Sequence, residues 1–167
     1  MKALYIGRFQ PFHKGHLEVV KYLTQKFDHV IIGIGSSQYK DTADNPFSSD
    51  ERSSMIKNSL KQEKIENYSI VLIPDIHNPP KWADHVLTIV SDFDVAVSNS
   101  EFTRKLFDEK GFRTQDTPKF NEKYYSGTEI RNRIFSDEKW EDLVPRPVCE
   151  IVKKIDGVKR IKKANAI

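Results

Sequence analysis

The sequence predicts an α/β protein in which a parallel five-stranded sheet carries helices on both faces. Five short apolar runs alternate along the chain with longer segments of helical periodicity. This alternation favours parallel strands joined by right-handed crossovers. The chain has 167 residues, of which 31% are charged and 38% hydrophobic, as is typical of one compact globular domain. We therefore treat residues 1–167 as a single domain with a helical tail over residues 146–167.

The predicted strands are short runs rich in β-branched and aromatic residues. They are residues 3–6, 30–34, 68–73, 95–97 and 112–114. The second reads VIIGI and is apolar at nearly every position, as expected of a strand covered on both faces. A doubly wound, Rossmann-like sheet of this kind binds ligands beyond the carboxyl ends of its strands, where the strand order reverses.

Helices are predicted between and after these strands. They are residues 16–26, 48–60, 81–90, 100–109, 126–135 and 147–155. Two of them begin with a Ser followed three residues later by a Glu, at positions 48 and 126, which is the signature of a capping box. The last helix is expected to end near Gly157. The long connections at residues 36–47 and 114–125 are expected to be functional loops.

Charge and cysteine content exclude several classes of protein. The net charge is +3, but residues 150–167 contain six basic and two acidic side chains, so the preceding 149 residues carry −1. A nearly neutral body argues against a nucleic-acid-binding surface, and we interpret the basic tail as a solvated helix face. Cys149 is the only cysteine, so a disulfide within the chain is excluded. No apolar run is long enough for a membrane span or a signal peptide, and we expect a cytoplasmic protein.

The first chemically distinctive segment connects the first strand to the first helix and reads GRFQPFHKGH over residues 7–16. The strand ends at Gly7 and the helix begins near Gly15. This places four polar side chains at the carboxyl edge of the sheet: Arg8, His13, Lys14 and His16. A helix N-terminus presents free backbone N–H groups and a partial positive charge, so a phosphate chain is the natural ligand of this segment.

The histidines allow two other interpretations. A lone histidine is usually an ordinary surface or core residue. Here two histidines lie beside a glycine at a predicted strand-to-helix junction, and this pattern argues against that interpretation. A metal site using His13 and His16 is the weaker alternative, because no third Cys, Asp or Glu lies at a matching spacing. The sequence predicts no metal ligand.

A second segment, SGTEIR over residues 126–131, opens the fifth predicted helix. Its N-terminal amides and the Thr128 hydroxyl can hold phosphate oxygens. Arg131 lies one turn into the helix and can reach the same anion with a planar fork of donors. Alone, this segment would be interpreted as an ordinary capped helix with a surface arginine.

Together the two segments resemble the nucleotidyltransferase superfamily. Residues 13–16 are similar to its His-x-Gly-His signature, and residues 126–131 to its Ser-Gly-Thr-x-x-Arg signature. The longer run from Gly7 to His16 resembles archaeal-type nicotinamide-mononucleotide adenylyltransferases, and the resemblance covers nearly the whole chain. It implies that His13, His16, Arg8 and Arg131 are catalytic. It also implies phosphate contacts from a second group of residues: Gly7, Phe9, Lys14, Gly15, Ser126, Gly127 and Thr128.

The segment after the third strand, DIHNPPKW over residues 75–82, is the candidate pocket for a second substrate. Trp82 is interpreted either as a core residue of its helix or as a stacking platform for a nicotinamide ring, and the resemblance favours the platform. Asp75 and Asn78 are expected to bind the amide or the ribose hydroxyls. Arg52 is interpreted as structural, and Trp140 as a packing residue.

The resemblance implies adenylyl transfer from ATP to nicotinamide mononucleotide, giving NAD and pyrophosphate. It also implies Mg²⁺ held mainly by substrate phosphates and water, and a homo-oligomer, specifically a hexamer. Three alternatives remain. They are nucleotidyl transfer to another acceptor on the same fold, an ATP-sensing module without turnover, and a nucleic-acid-binding protein.

Overall fold

A computed structural model describes residues 1–166 of the chain and contains one sheet. Its strands are β1 (Lys2–Gly7), β2 (His29–Gly35), β3 (Tyr68–Ile73), β4 (Val95–Val97) and β5 (Arg113–Gln115). They run parallel in the order β3-β2-β1-β4-β5. The predicted fold class and all five strands are confirmed. Because the order reverses between β1 and β4, a ligand crevice is expected at the carboxyl ends of these two strands.

Helices connect the strands and continue after β5. They are α1 (Lys14–Lys26), α2 (Ser49–Gln62), α3 (Trp82–Ile89), α4 (Glu101–Glu109), α5 (Gly127–Phe135), α6 (Arg146–Lys154) and α7 (Gly157–Ala164). Short 3₁₀ turns occupy Pro79–Lys81 and Glu141–Leu143. The six predicted helices are present, although a 3₁₀ turn takes the start of the third.

The helix predicted at residues 147–155 ends near Gly157 as expected, because α6 stops at Lys154, but it is not the last helix of the chain. Asp156 adopts a left-handed conformation with φ 54°, and Gly157 then begins α7. A Cβ at Gly157 would lie 2.9 Å from the Val152 carbonyl oxygen and 3.0 Å from Phe47 Cε1. This glycine therefore follows the end of α6 and also allows α6, α7 and the 36–47 loop to approach closely.

The two predicted capping boxes differ in outcome. At α2, Ser48 accepts from the Glu51 amide and the Glu51 carboxylate accepts from the Ser48 amide, so the box is complete. At α5, Ser126 accepts from the Glu129 amide. The Glu129 carboxylate instead accepts a hydrogen bond from Arg133 Nε at 2.8 Å. The prediction for α5 is therefore only half correct, because an arginine one turn away competes for the carboxylate.

Two hydrophobic cores cover the two faces of the sheet. Alternate residues of the strands point to opposite faces, so Tyr5 and Ile32 pack against α1, α2, α5, α6 and α7, whereas Leu4 and Ile31 pack against α3 and α4. The helices after β1 and β2 lie on one face and those after β3 and β4 on the other, as the strand order requires. Among residues 1–166, no helix has both the length and the apolar character needed to cross a bilayer.

Candidate active site

A cavity of about 940 Å³ opens at the carboxyl ends of the strands and spans the switch point between β1 and β4. Its volume is near the upper end of the range for small-molecule sites. Of the fourteen residues singled out from the sequence, Lys14 alone is absent from the lining. The thirteen that line it are Gly7, Arg8, Phe9, His13, Gly15, His16, Asp75, Asn78, Trp82, Ser126, Gly127, Thr128 and Arg131.

His13 and His16 cap each other at the start of α1. The His16 amide donates to His13 Nδ1, and the His13 amide donates to His16 Nδ1, both at 3.2 Å. The two rings are stacked with their centroids 3.5 Å apart. This arrangement is a capping box in which imidazoles replace the usual hydroxyl and carboxylate. Because both Nδ1 atoms accept, each neutral ring carries its proton on Nε2.

Both histidines are held in the neutral form. Burial lowers the pKa of His13 to about 3. The pKa of His16 falls well below its ordinary value, first because of burial and second because of the charge that His13 would carry. Neither Nε2–H group has a hydrogen-bond partner among residues 1–166. At neutral pH the pair therefore offers two uncharged donors to a ligand in the cavity.

Two glycines allow the backbone to pack tightly beneath these histidines. A Cβ at Gly15 would lie 2.9 Å from Tyr125 Cβ and 3.0 Å from the His13 ring. A Cβ at Gly7 would lie 2.9 Å from the Phe9 ring. Phe9 lines the cavity, but its ring is buried against neighbouring aromatic rings. Its side chain therefore shapes the cavity floor.

Three arginines lie near enough that the charge of Arg8 acts on the other two, Arg52 and Arg131. Arg52 is fully buried and donates to the backbone carbonyls of Arg8, Gly35 and Ser36, so its structural interpretation is confirmed. Arg131 is 8% exposed and donates to the Gln10 carbonyl at 2.8 Å. The Arg8 side chain is exposed and forms no hydrogen bond or ion pair with residues 1–166.

The electrostatics of this cluster favour an anion. Burial and, second, the nearby charge of Arg8 lower the pKa of Arg52 to about 10. The same two causes lower the pKa of Arg131. Both side chains remain charged at neutral pH, and neither forms an ion pair with a carboxylate of residues 1–166. Unpaired cations at the edge of a cavity are stabilised when an anion enters.

The N-terminus of α5 faces the same cavity. Ser126 caps the helix, and Gly127 lies under the Arg131 side chain, since a Cβ there would be 2.8 Å from Arg131 Nη1 and 3.1 Å from the Gln10 carbonyl oxygen. Thr128 is exposed and lies 3.4 Å from Arg131 Nη2 through its hydroxyl. The free amides of the first turn therefore add a partial positive charge beside Arg131.

The segment after β3 forms the other side of the cavity. Trp82 begins α3, is partly buried against the second core and also lines the cavity. Its packing interpretation therefore describes part of its environment, and its role as a stacking platform stays a prediction. Asp75 accepts the His77 amide at 2.9 Å. Asn78 is exposed, and its side chain makes no hydrogen bond with residues 1–166 at the start of its 3₁₀ turn.

The segment after β4 also lines the cavity, through residues that were not predicted from the sequence. They are Ser98 and Asn99 of the loop, the N-cap Ser100, and Phe102 and Thr103 at the start of α4. Their position directly after a strand at the switch point was the available signal. In contrast, Lys14 lies outside the lining although it is the first residue of α1. Trp140 is buried in the first core, which confirms its packing role.

Residues 1–166 contain no cluster of three or more His, Cys, Asp or Glu side chains suited to hold a metal ion. The charged side chains that line the cavity are two cations, Arg8 and Arg131, and two carboxylates, Asp75 and Glu122. The two guanidinium groups are suited to bind phosphate oxygens.

Comparison with known proteins identifies the family of this chain. Residues 4–133 match the cytidylyltransferase-like family. Nicotinamide-nucleotide adenylyltransferase from Thermoplasma acidophilum is 44% identical, with 96% of this chain and 90% of that protein covered. The enzyme of the same name from Archaeoglobus fulgidus is 43% identical, with 97% and 96% covered.

A solved structure shows the same fold. The bifunctional NMN adenylyltransferase/ADP ribose pyrophosphatase from Francisella tularensis, complexed with AMP and an Mn ion, superposes with a TM-score of 0.81 at 25% identity. The superposition covers 99% of this chain and 52% of that one, so the chain spans about half the length of the bifunctional protein.

The fold is that of a nucleotidyltransferase. The chain belongs to the cytidylyltransferase-like family and, within it, to the nicotinamide-nucleotide adenylyltransferases.

Proposed function

We propose that this protein transfers the adenylyl group of ATP to nicotinamide mononucleotide, giving NAD and pyrophosphate. The observation that carries the proposal is the composition of one cavity. Its phosphate side combines the histidine pair, Arg8 and Arg131, and its other side presents Trp82. The similarity to archaeal enzymes of this name supports the same choice of substrates.

In the proposed reaction, a 5′-phosphate oxygen of the mononucleotide attacks the α-phosphorus of ATP in line, and pyrophosphate leaves. A phosphate monoester is a competent nucleophile at neutral pH, so positioning and charge stabilisation carry the catalysis. The Nε2–H groups of His13 and His16 donate to phosphate oxygens, while Arg8 and Arg131 offset the negative charge that spreads over them.

On the acceptor side, the Trp82 indole provides a face for the nicotinamide ring. Asp75 and Asn78 provide an acceptor and an amide for the carboxamide or the ribose hydroxyls. The free Asn78 side chain supports this role, because no residue within 1–166 occupies its hydrogen-bonding groups. Ser126, Gly127 and Thr128 receive phosphate oxygens at the start of α5.

We propose that Mg²⁺ enters as the complex with ATP, as part of the substrate. It screens the charge of the triphosphate and retains water ligands. We also propose that the protein acts in the cytoplasm as a homo-oligomer, in agreement with the hexamer that the family resemblance implies. Light scattering on the purified protein tests the oligomeric state.

The reaction is tested by pyrophosphate release from ATP and Mg²⁺ with nicotinamide mononucleotide, pantetheine phosphate or no acceptor. We expect release with the mononucleotide alone, with NAD as the product. Turnover with pantetheine phosphate and not with the mononucleotide would exclude the acceptor site at Trp82. ATP binding without turnover on any acceptor would favour a sensing module.

The role of His16 is tested by His16→Ala. We expect kcat/KM to fall about a hundredfold, because one donor to the transferring phosphate is lost. His29→Ala is the matched control, since His29 starts β2 and contacts Ser69 at 2.9 Å without lining the cavity. Near-normal turnover of His16→Ala would contradict the assignment.

A further inference from the structure

Arg160 on α7 is bonded to the base of the 36–47 loop. Its Nη1 atom donates to the Glu51 carboxylate at 2.7 Å and to the Pro46 carbonyl at 3.2 Å. Its Nε atom lies 3.4 Å from the Asp41 carboxylate. Glu51 is itself fixed by the capping box of α2. Two carboxylates and a carbonyl therefore hold the Arg160 guanidinium in one orientation.

The peptide group between Pro46 and Phe47 connects Arg160 to the interior of the protein. Its carbonyl accepts from Arg160, and its amide donates to Gln10 Oε1 at 3.0 Å. Gln10 Nε2 donates back to the Phe47 carbonyl at 2.9 Å. Gln10 is 2% exposed and Phe47 is fully buried. Hydrogen bonds that share one peptide group polarise each other, and burial strengthens them.

The backbone of Gln10 completes the connection to the cavity. Its carbonyl accepts from Arg131 Nη1 at 2.8 Å. Because Arg131 has no carboxylate partner among residues 1–166, the Gln10 carbonyl and the Thr128 hydroxyl are the groups that fix its guanidinium. A shift of Gln10 is therefore transmitted directly to the side chain that faces the substrate phosphates.

We propose that Arg160 is a positioning residue for Arg131, acting through the 46–47 peptide group and Gln10. The proposal rests on the proposed function only in that Arg131 binds the triphosphate. By this proposal α7 helps to position an active-site residue, although it lies beyond residues 4–133, which match the family. Binding of the nucleoside triphosphate should therefore depend on Arg160, whereas binding of the acceptor nucleotide should not.

The test uses Arg160→Ala and Arg160→Lys, with Lys163→Ala as the control. Lys163 lies on the same helix, is exposed and makes no side-chain hydrogen bond or ion pair within residues 1–166, so it matches the loss of one charge. We expect Arg160→Ala to weaken MgATP binding about tenfold, as misplacement of a substrate-binding group does, with KM for the mononucleotide unchanged. Arg160→Lys should restore binding only in part, because one ammonium replaces a planar fork.

A double-mutant cycle separates this role from a purely structural one. In an Arg131→Lys background, Arg160→Ala should weaken MgATP binding less than about twofold, because the route through Arg131 is already lost. A full tenfold loss in that background would overturn the proposal. Binding is measured by calorimetry, so this arm remains decisive even if the mononucleotide proves not to be the acceptor.

A ligand-free measurement applies whatever the nucleotide affinity. The side-chain amide signals of Gln10 and the Nε–H signal of Arg131 are compared by NMR. We expect both to shift in Arg160→Ala and in Arg160→Lys, and to stay in place in Lys163→Ala. Unmoved Gln10 and Arg131 signals in a folded Arg160→Lys protein would also overturn the proposal.

Discussion

His13 and His16 show how two side chains can set each other's protonation state. Each ring supplies the acceptor that the other residue's amide requires, so neither Nδ1 is available for a proton. Burial then opposes the charged form of both rings. The result is a pair of neutral donors held rigidly at a helix N-terminus, where a charged pair of stacked imidazoliums would repel.

This arrangement predicts a specific dependence of stability on pH. The pKa of His13 is lowered from 6.5 to about 3 in the folded state, so between these values the unfolded chain binds a proton that the folded chain rejects. The contribution of His13 is therefore fully present above pH 6.5 and is lost progressively as the pH falls towards 3.

The measurement compares the wild type with His13→Asn, whose side-chain oxygen can still accept the His16 amide. The free energy of unfolding, measured by denaturation from pH 7 to pH 4, should fall less steeply with pH in the variant. The difference in slope should correspond to about one proton bound on unfolding. Identical slopes would show that His13 titrates normally in the folded protein.

At the scale of secondary structure, helix starts place the functional groups. The capping box of α2 fixes Ser48 and Glu51 beside the 36–47 loop, and Arg52 on the next turn binds carbonyls at the ends of β1 and β2. At α5 the Ser126 cap sets the direction of the helix that carries Arg131. Loss of a cap therefore affects both stability and the placement of the cavity walls.

We expect Ser48→Ala to destabilise the protein by about 1 kcal/mol, because the Glu51 amide at α2 loses its acceptor. Ser54→Ala is the control, since Ser54 is exposed within the same helix and alanine is favoured there. Chemical denaturation measures both. Equal stability of Ser48→Ala and Ser54→Ala would contradict the role of the cap.

At the scale of the whole molecule, the C-terminal helices belong to the main core. Val148, Val152 and Ile161 are fully buried in the core that also contains the strand residues of that face. The basic side chains of α6 and α7 lie mostly on the solvent side. The segment predicted as a tail is therefore an amphipathic pair of helices that completes one layer of the fold.

Ile161→Ala tests this assignment. We expect a loss of about 2–5 kcal/mol in unfolding free energy, as for other large-to-small changes in a packed core. Ile89 is 38% exposed at the end of α3, so Ile89→Ala should cost clearly less. A small effect of Ile161→Ala in thermal or chemical denaturation would mean that α7 is only loosely attached.

Local patterns predicted most of the molecule. Strand and helix positions follow from periodicity, and the two phosphate-binding segments follow from short motifs in which spacing specifies geometry. The unexpected helix that begins at Gly157 and the half-formed capping box at Glu129 have one physical origin. A glycine can end a helix or admit a close contact, and a glutamate can cap a helix or pair with arginine. Neighbouring residues, and not the motif itself, decide between these outcomes.

The sequence by itself determined the α/β fold, the position of the site at the carboxyl edge of the sheet and the set of residues expected there. Only the tertiary structure decided that Lys14 lies outside the cavity and that the segment after β4, including the start of α4, lines it. It also decided that Arg160 connects to Arg131 through Gln10. Motifs and periodicity depend on near neighbours in the chain, whereas these contacts join residues up to 121 positions apart, as between Gln10 and Arg131.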